Sequence, residues 1–187
     1  PGTSPTNATE SEVRVIATIP SSTELTFTTP LFYDHNTVDL LRFPVQVCNL
    51  SRNIRLRSET PDVTASRAHC MMMHHNAALL RDVAFEGMGR TNKKILINDP
   101  KYAADGSVLP GTGTNPRGRY SLHFHKGGID RSKPPAIVEN CVINGDPGWG
   151  YTQHSAHVYW TRNISYKCIG SGFTTEAGDE VGLFDAN

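Results

Sequence analysis

One short pattern of polar and apolar positions is written four times along the chain. An Asn or Asp is followed by an apolar residue, one variable residue, and a second apolar or aromatic residue. It occurs in LSRNIRL around Asn53, LLRDVAF around Asp82, IVENCVI around Asn140 and WTRNISY around Asn163. Alternation over so few residues, bounded by Gly, Asn and Asp, predicts a short half-buried β-strand in each case. Asn140 and Asn163 stand 23 residues apart, and the glycine-led segments GWGYTQHSA and GSGFTTEAG repeat at an offset of 22. A period of that size carrying only strands and turns suits a solenoid, in which each coil buries its apolar side against the next. The expected fold class is therefore all-β: a right-handed parallel β-helix with long loop insertions. A β-sandwich with similar strands is the competing architecture. Residues 1–12 read as a flexible lead-in and 13–187 as the β-helix segment, with loops at about 91–118 and 126–135, where Gly, Pro, Asn and Asp make poor strands. In this register Asn53, Asp82, Asn140 and Asn163 occupy equivalent positions, and Cys141 joins Ile54, Val83 and Ile164 in an inward column as a buried free thiol.

Composition narrows the function classes. The 187 residues are 37% hydrophobic and 19% charged, ordinary for a globular domain. Eighteen basic residues balance 18 acidic ones, so no global field draws the chain to nucleic acid or an anionic membrane, and no apolar stretch is long enough to span a bilayer. The polar start and the ending at GLFDAN suggest a piece of a longer polypeptide, whose other residues, or neighbours in an assembly, would cover the terminal strand edges. Four scattered cysteines, with no Cys-x-x-Cys pair, argue against both a disulfide scaffold and a cysteine zinc site. Asn7, Asn49 and Asn163 each begin a glycosylation sequon, which favours an extracellular chain.

Candidate chemistry concentrates in RGRYSLHFHK, residues 117–126. Alternation along a strand puts His123 and His125 on one face and Leu122 and Phe124 on the other. Setting YSLHFHK beside WGYTQHS and SGFTTEA aligns Leu122, Tyr151 and Phe173 inward, and His125, His154 and Glu176 outward, with His123 beside Thr152 and Thr174. Adjacent strands lie about 4.8 Å apart, so His125, His154 and Glu176 can converge on one ion or one proton-transfer position. Two imidazoles and a carboxylate suit zinc or another divalent metal. Without metal they could act as general acid and base, with Arg119 or His123 stabilising developing charge. His74 or His75 is a candidate extension of the column, and Asp179 a candidate partner of Glu176. The outward pair Arg55 and Arg57 could meet an acidic polysaccharide, and Trp149, Tyr159 and Trp160 could stack on sugars; solubility and packing explain these equally well. Met71, Met72 and Met73 are expected to fill the interior.

The segments VCNLSRNIRLRSE, HCMMMHHN, GRYSLHFH and TTEAGDE, in that order, resemble the β-helix region of the eight-glycine-domain family that includes the cell-migration-inducing hyaluronidase, transmembrane protein 2 and the fibrocystins. The resemblance runs from about Val13 onward and is most specific at residues 118–125. It implies an extracellular or cell-surface β-helix. In some members it implies depolymerisation of hyaluronan, in fibrocystin-like members a surface or coat role without established enzyme activity. Two readings follow: a module that binds and depolymerises an acidic polysaccharide through the His/His/Glu cluster, with a divalent metal or without, and a non-catalytic structural or adhesive module whose histidine ladder ties strands together.

Overall fold

The structure, a computed structural model, describes residues 11–33, 35, 47–73 and 78–187. It divides into two compact units, Pro1–Cys48 and Asn49–Asn187. In the first, β1 (Ile16–Ser21) and β2 (Glu24–Phe27) pair antiparallel across a tight turn at residues 22–23. The side chain of Glu12 gathers this unit. It accepts from the backbone N–H groups of Phe32 and Tyr33 at 2.9 Å, meets His35 Nε2 at 2.8 Å, and pairs with Arg14.

The second unit begins with β3 (Ile54–Arg57) and a 3-10 turn at Thr64–Ser66. It continues through β4 (Cys70–Met73), β5 (Leu79–Arg81), β6 (Val83–Glu86), β7 (Leu122–Gly128), β8 (Ala136–Glu139), β9 (Val142–Asn144), β10 (Tyr151–Thr161), β11 (Ile164–Tyr166), β12 (Phe173–Thr175) and β13 (Val181–Asp185). Strands β11, β9, β6 and β3 form a four-stranded parallel sheet. The other sheet is seven-stranded and parallel, ordered β4-β7-β10-β8-β5, with β12 and β13 also pairing with β10. Leu122, Phe124, Val138, Ile143, Tyr151, Val158 and Trp160 are each fully buried between them. Burying one such side chain stabilises the fold by about 1.5–3 kcal/mol.

This arrangement corrects the expected all-β, right-handed parallel β-helix. The described residues form a curled seven-stranded half-barrel and a separate four-stranded parallel sheet, with an antiparallel pair in the other unit, so the chain is strand-rich without being a clear solenoid. The physical reason lies in β10. It carries Ser155 at φ 47°, and His154 lies opposite His125, so the bend falls beside Lys126 of β7, which has φ 53°. Each bend turns its strand. The first half of β10 pairs with β7 and β12, and the second half with β8 and β13. One long strand thus serves four neighbours.

The four-segment register holds for three segments and slips in the fourth. Ile54 pairs with Val83, and Ala84 with Val142, so Asn53, Asp82 and Asn140 share a row; Asn140 Nδ2 donates to Asp82 Oδ1 at 2.5 Å. Ile164 pairs with Val142, however, which places Arg162 and not Asn163 opposite Asn140. Asp82, Asn140 and Arg162 share the left-handed conformation, at φ 56°, 52° and 55°. Asn163 is buried one position further on. Its Oδ1 accepts from Cys141 N at 2.9 Å, and its Nδ2 donates to Val138 O at 2.9 Å. Cys141 is a buried free thiol in the core, aligned with Val83 and Ile54 but not with Ile164. Among the described residues no helix is long and apolar enough to cross a membrane.

Candidate functional site

Three parallel strands and one turn build the histidine cluster. The alternation of β7 turns Leu122 and Phe124 into the core and leaves His123 and His125 on the opposite face. Register then stacks the rows: Leu122, Tyr151 and Phe173 form one, His123, Thr152 and Thr174 the next, and His125 lies opposite His154. Glu176 follows the end of β12 directly, and its N–H bonds Gln153 O at 3.0 Å, extending the same register by one residue. On the other side of β7, β4 sets Met71 opposite His123 and Met73 opposite His125.

The side chains converge. The rings of His125 and His154 lie 4.7 Å apart between centroids, and those of His123 and His125 5.1 Å. Glu176 Oε2 stands 3.2 Å from His154 Nδ1 and 3.4 Å from His123 Nε2. The first contact is a hydrogen bond; the second has ion-pair distance without hydrogen-bond geometry. His123 Nδ1 lies 3.0 Å from Gly118 O. A carbonyl oxygen only accepts, so Nδ1 carries a proton, and Nε2 is the nitrogen that faces Glu176. One ring nitrogen from each of His123, His125 and His154 lies within 4.8 Å of the other two. That set contains His123 where the sequence placed Glu176.

The face is less open than an outward strand face would be. His123 and Thr152 are buried, and the end of the long excursion between β6 and β7 packs on His123 through Gly118 and Tyr120. Arg90 and Thr91 N–H groups bond Arg119 O, and Thr91 Oγ1 donates to Pro116 O at 2.7 Å. The Tyr120 ring lies 5.4 Å from His123 and 5.0 Å from Trp149, and Lys93 Nζ sits 3.5 Å from the Trp149 ring centre. Beneath this roof the Asp146 carboxylate accepts from Ser121 N and Gly148 N, each at 2.6 Å. His154 and Glu176 keep 28% and 22% of their side-chain surface, which leaves the mouth of the cluster on their side.

Electrostatics divide the titratable groups. The His123 imidazole, 3.4 Å away, leads the causes that hold the Glu176 carboxyl below its usual range, helped by His154 and opposed by burial. Burial, then the charges of His123, His154 and Lys126, push His125 below the usual imidazole value. His69 is driven to about 4 by burial and the nearby Arg90 and Arg119. Burial lowers Lys93, against the opposing pull of Glu176.

Other sequence candidates lie elsewhere. The Arg119 guanidinium bonds Arg117 O at 3.3 Å. Arg55 is taken by Glu86, at 3.0 and 2.5 Å. Trp160 is fully buried and the Trp149 ring is covered by Lys93, so neither offers a free stacking face, while Tyr159 is 38% exposed. Met72 packs on the core, whereas Met73 is exposed. His74 and His75 lie outside the described residues. The carboxylate that braces Glu176 is that of Glu180, not Asp179: it accepts from the N–H groups of Glu176, Ala177 and Gly178. Lys93, Gly118 O and Tyr120 were missed as neighbours of the cluster. Tyr120 lies within the motif itself and could have been named; Lys93 reaches the site only through loop packing.

The fold and cluster thus define a strand-rich, parallel-sheet protein with three imidazoles and a carboxylate at one sheet face. No family model, curated protein or solved structure matches the chain.

Proposed function

We propose that the chain is an extracellular module that binds an acidic polysaccharide such as hyaluronan at the His123, His125, His154 and Glu176 cluster and depolymerises it there. The observation that carries this reading is the pair His125 and His154, rings 4.7 Å apart, opening to the surface beside an ionised Glu176. His125, kept neutral by its surroundings, takes a proton from the attacking water or returns one to the leaving sugar oxygen. Glu176 orients His154 through Nδ1. Net charge does not oppose the substrate class, since Lys93 and Lys126 bring positive charge to the cluster in a chain that is neutral overall. The resemblance in sequence to hyaluronan-depolymerising β-helix proteins supports the same class and the extracellular setting.

A second reading is a non-catalytic structural or adhesive module, favoured by the bond from His154 to Glu176, which ties β10 to the turn after β12. Both readings have the sheet edges covered by further residues of the polypeptide or by assembly neighbours, supported by exposed Ile54 and Leu56 on β3 and Leu183 and Phe184 on β13. Incubation of the chain with hyaluronan, followed by sizing of the product, tests the proposal. Shortened product with the native chain and none with His125→Ala supports it. Unshortened hyaluronan, with His125→Ala lowering only the melting temperature, supports the second reading.

A further inference from the structure

We infer that His123, His125 and His154 together hold one divalent transition-metal ion, with Glu176 beside them to orient His154 and balance charge. This inference rests on the cluster geometry and not on the polysaccharide reading.

The orientation of the rings comes first. A metal-bound histidine almost always donates its other ring N–H to a carboxylate or a backbone carbonyl, which fixes the tautomer and aims the lone pair. The cluster contains one of each: His123 Nδ1 against Gly118 O at 3.0 Å, and His154 Nδ1 against Glu176 Oε2 at 3.2 Å. In the neutral rings both bonds leave Nε2 as the lone-pair nitrogen. Gly118 serves this geometry through its backbone. It sits at φ 75°, a conformation that favours glycine, and a side chain there would come against His123 Cε1 at 3.6 Å and Met71 Cε at 3.8 Å.

The second observation is independent of the first. His123 Nε2 and His125 Nδ1 are buried and make no hydrogen bond to the protein, and the His123 side chain is only 2% exposed. Buried polar atoms are nearly always partnered. His123 Nε2 instead stands 3.4 Å from a carboxylate oxygen without a hydrogen bond, and in the neutral ring with Nδ1 protonated this sets a lone pair against an acceptor, which a bound cation relieves. In the same row Thr152 Oγ1 and Thr174 Oγ1 are also buried without a partner, so hydroxyls stand ready beside the ion for a bound water.

The donor set selects the kind of ion. Imidazole suits zinc, copper, nickel and iron, whereas calcium and magnesium take oxygen ligands. Zinc–nitrogen bonds of about 2.0–2.1 Å put tetrahedral ligand nitrogens about 3.4 Å apart. The three nitrogens, within 4.8 Å of one another, reach that spacing by side-chain rotation on strands already in register. Three protein ligands leave a fourth position for water or substrate.

The test is a titration of the chelator-stripped full chain with Co(II), read by visible absorption and by metal content after dialysis. One equivalent should bind, give the intense absorption of a low-coordinate Co(II) site, and be displaced by Zn(II). His125→Ala and His154→Ala, at the accessible side of the cluster, should each weaken binding by about 100-fold or more, and Glu176→Gln by about 10–100-fold, with unchanged far-UV circular dichroism. His69→Ala should leave the affinity as it was. Less than one equivalent bound by the native chain, or native affinity in a folded His125→Ala or His154→Ala variant, overturns the inference. Hyaluronan shortening by a chain that binds less than one equivalent overturns it while leaving the functional proposal intact; tight Co(II) binding without shortening does the reverse.

Discussion

Trp160 Nε1 donates to Gln153 Oε1 at 3.0 Å, across the bend in β10, and both side chains are buried. Seven residues apart on a straight strand they would lie about 23 Å from one another at 3.3 Å per residue. The left-handed Ser155 folds the strand back far enough for them to bond inside the core, so this contact locks the corner between the two halves of the large sheet.

Removing that donor with Trp160→Phe should destabilise the chain by about 1–3 kcal/mol from the unpaired Gln153 oxygen alone, with lost packing in addition. Gln153→Leu in the Trp160→Phe background should cost less than it does alone. A double-mutant cycle by chemical denaturation reads this; strict additivity would mean that the bond does not couple the halves.

Asp146 and Gly89 form a second lock. Gly89 has φ 80°, and the Asp146 carboxylate fills the space its Cβ would need. Gly89→Ala should therefore cost more than the roughly 1 kcal/mol of an ordinary φ > 0 substitution. Asp146→Asn replaces one acceptor of two buried N–H bonds with a donor and should cost about 1–3 kcal/mol. Thermal unfolding checks both.

Glu12 supplies an acid-sensitive element in the first unit. Desolvation would raise its carboxyl, but Tyr33 and Phe32 N–H, His35 and Arg14 outweigh it and hold the group at about 2, against 4.5 for a free glutamate. A depressed acid contributes stability above its unfolded value that is lost as pH falls through the folded one. Stability of the 11–35 region should therefore decline between about 4.5 and about 2, and Glu12→Gln should flatten the decline. NMR titration of the Glu12 carboxyl locates the midpoint.

His125 sets the pH profile of any cleavage. Its lowered value keeps it unprotonated below the usual imidazole range, so the acidic limb of the rate should fall below 6.5, the ordinary histidine value. Removing the Lys126 charge with Lys126→Ala should move that limb upward. An unchanged limb in the variant would assign it to another group.

Asn163 is 2% exposed and both its amide hydrogens are engaged, by Val138 O and Asn187 Oδ1, whereas Asn49 is exposed. Secreted protein should carry glycan at Asn49 and none at Asn163. Peptide mass spectrometry decides it.

What could be read in advance depended on how local the cause was. The placement of His125 against His154, and of Leu122 against Tyr151 and Phe173, followed from two-residue alternation and glycine-led offsets, both written within a few residues. The slip at Asn163 was hidden because Arg162, a residue with no preference for positive φ, takes the turn. Strand direction was equally hidden: alternation in IATIPS and ELTF gives the same pattern for parallel and antiparallel pairing. The joining of two strand groups into one seven-stranded sheet turned on the bend at Ser155, which carries no composition signal. The roof of Lys93, Tyr120 and Trp149 depends on long-range packing that no short motif records.

The segment between β6 and β7 enters and leaves beside the histidine face, pinned at its base by Thr91 and Arg119. Its far part, around Gly106 and Gly111, has open space where a side chain would stand. The side chains of the cluster stand on β7, β10 and the turn after β12, and the far part of the excursion holds none of them. Exchanging, lengthening or trimming that tip should therefore leave the histidines in register, so the outer loop and the cluster are free to vary independently.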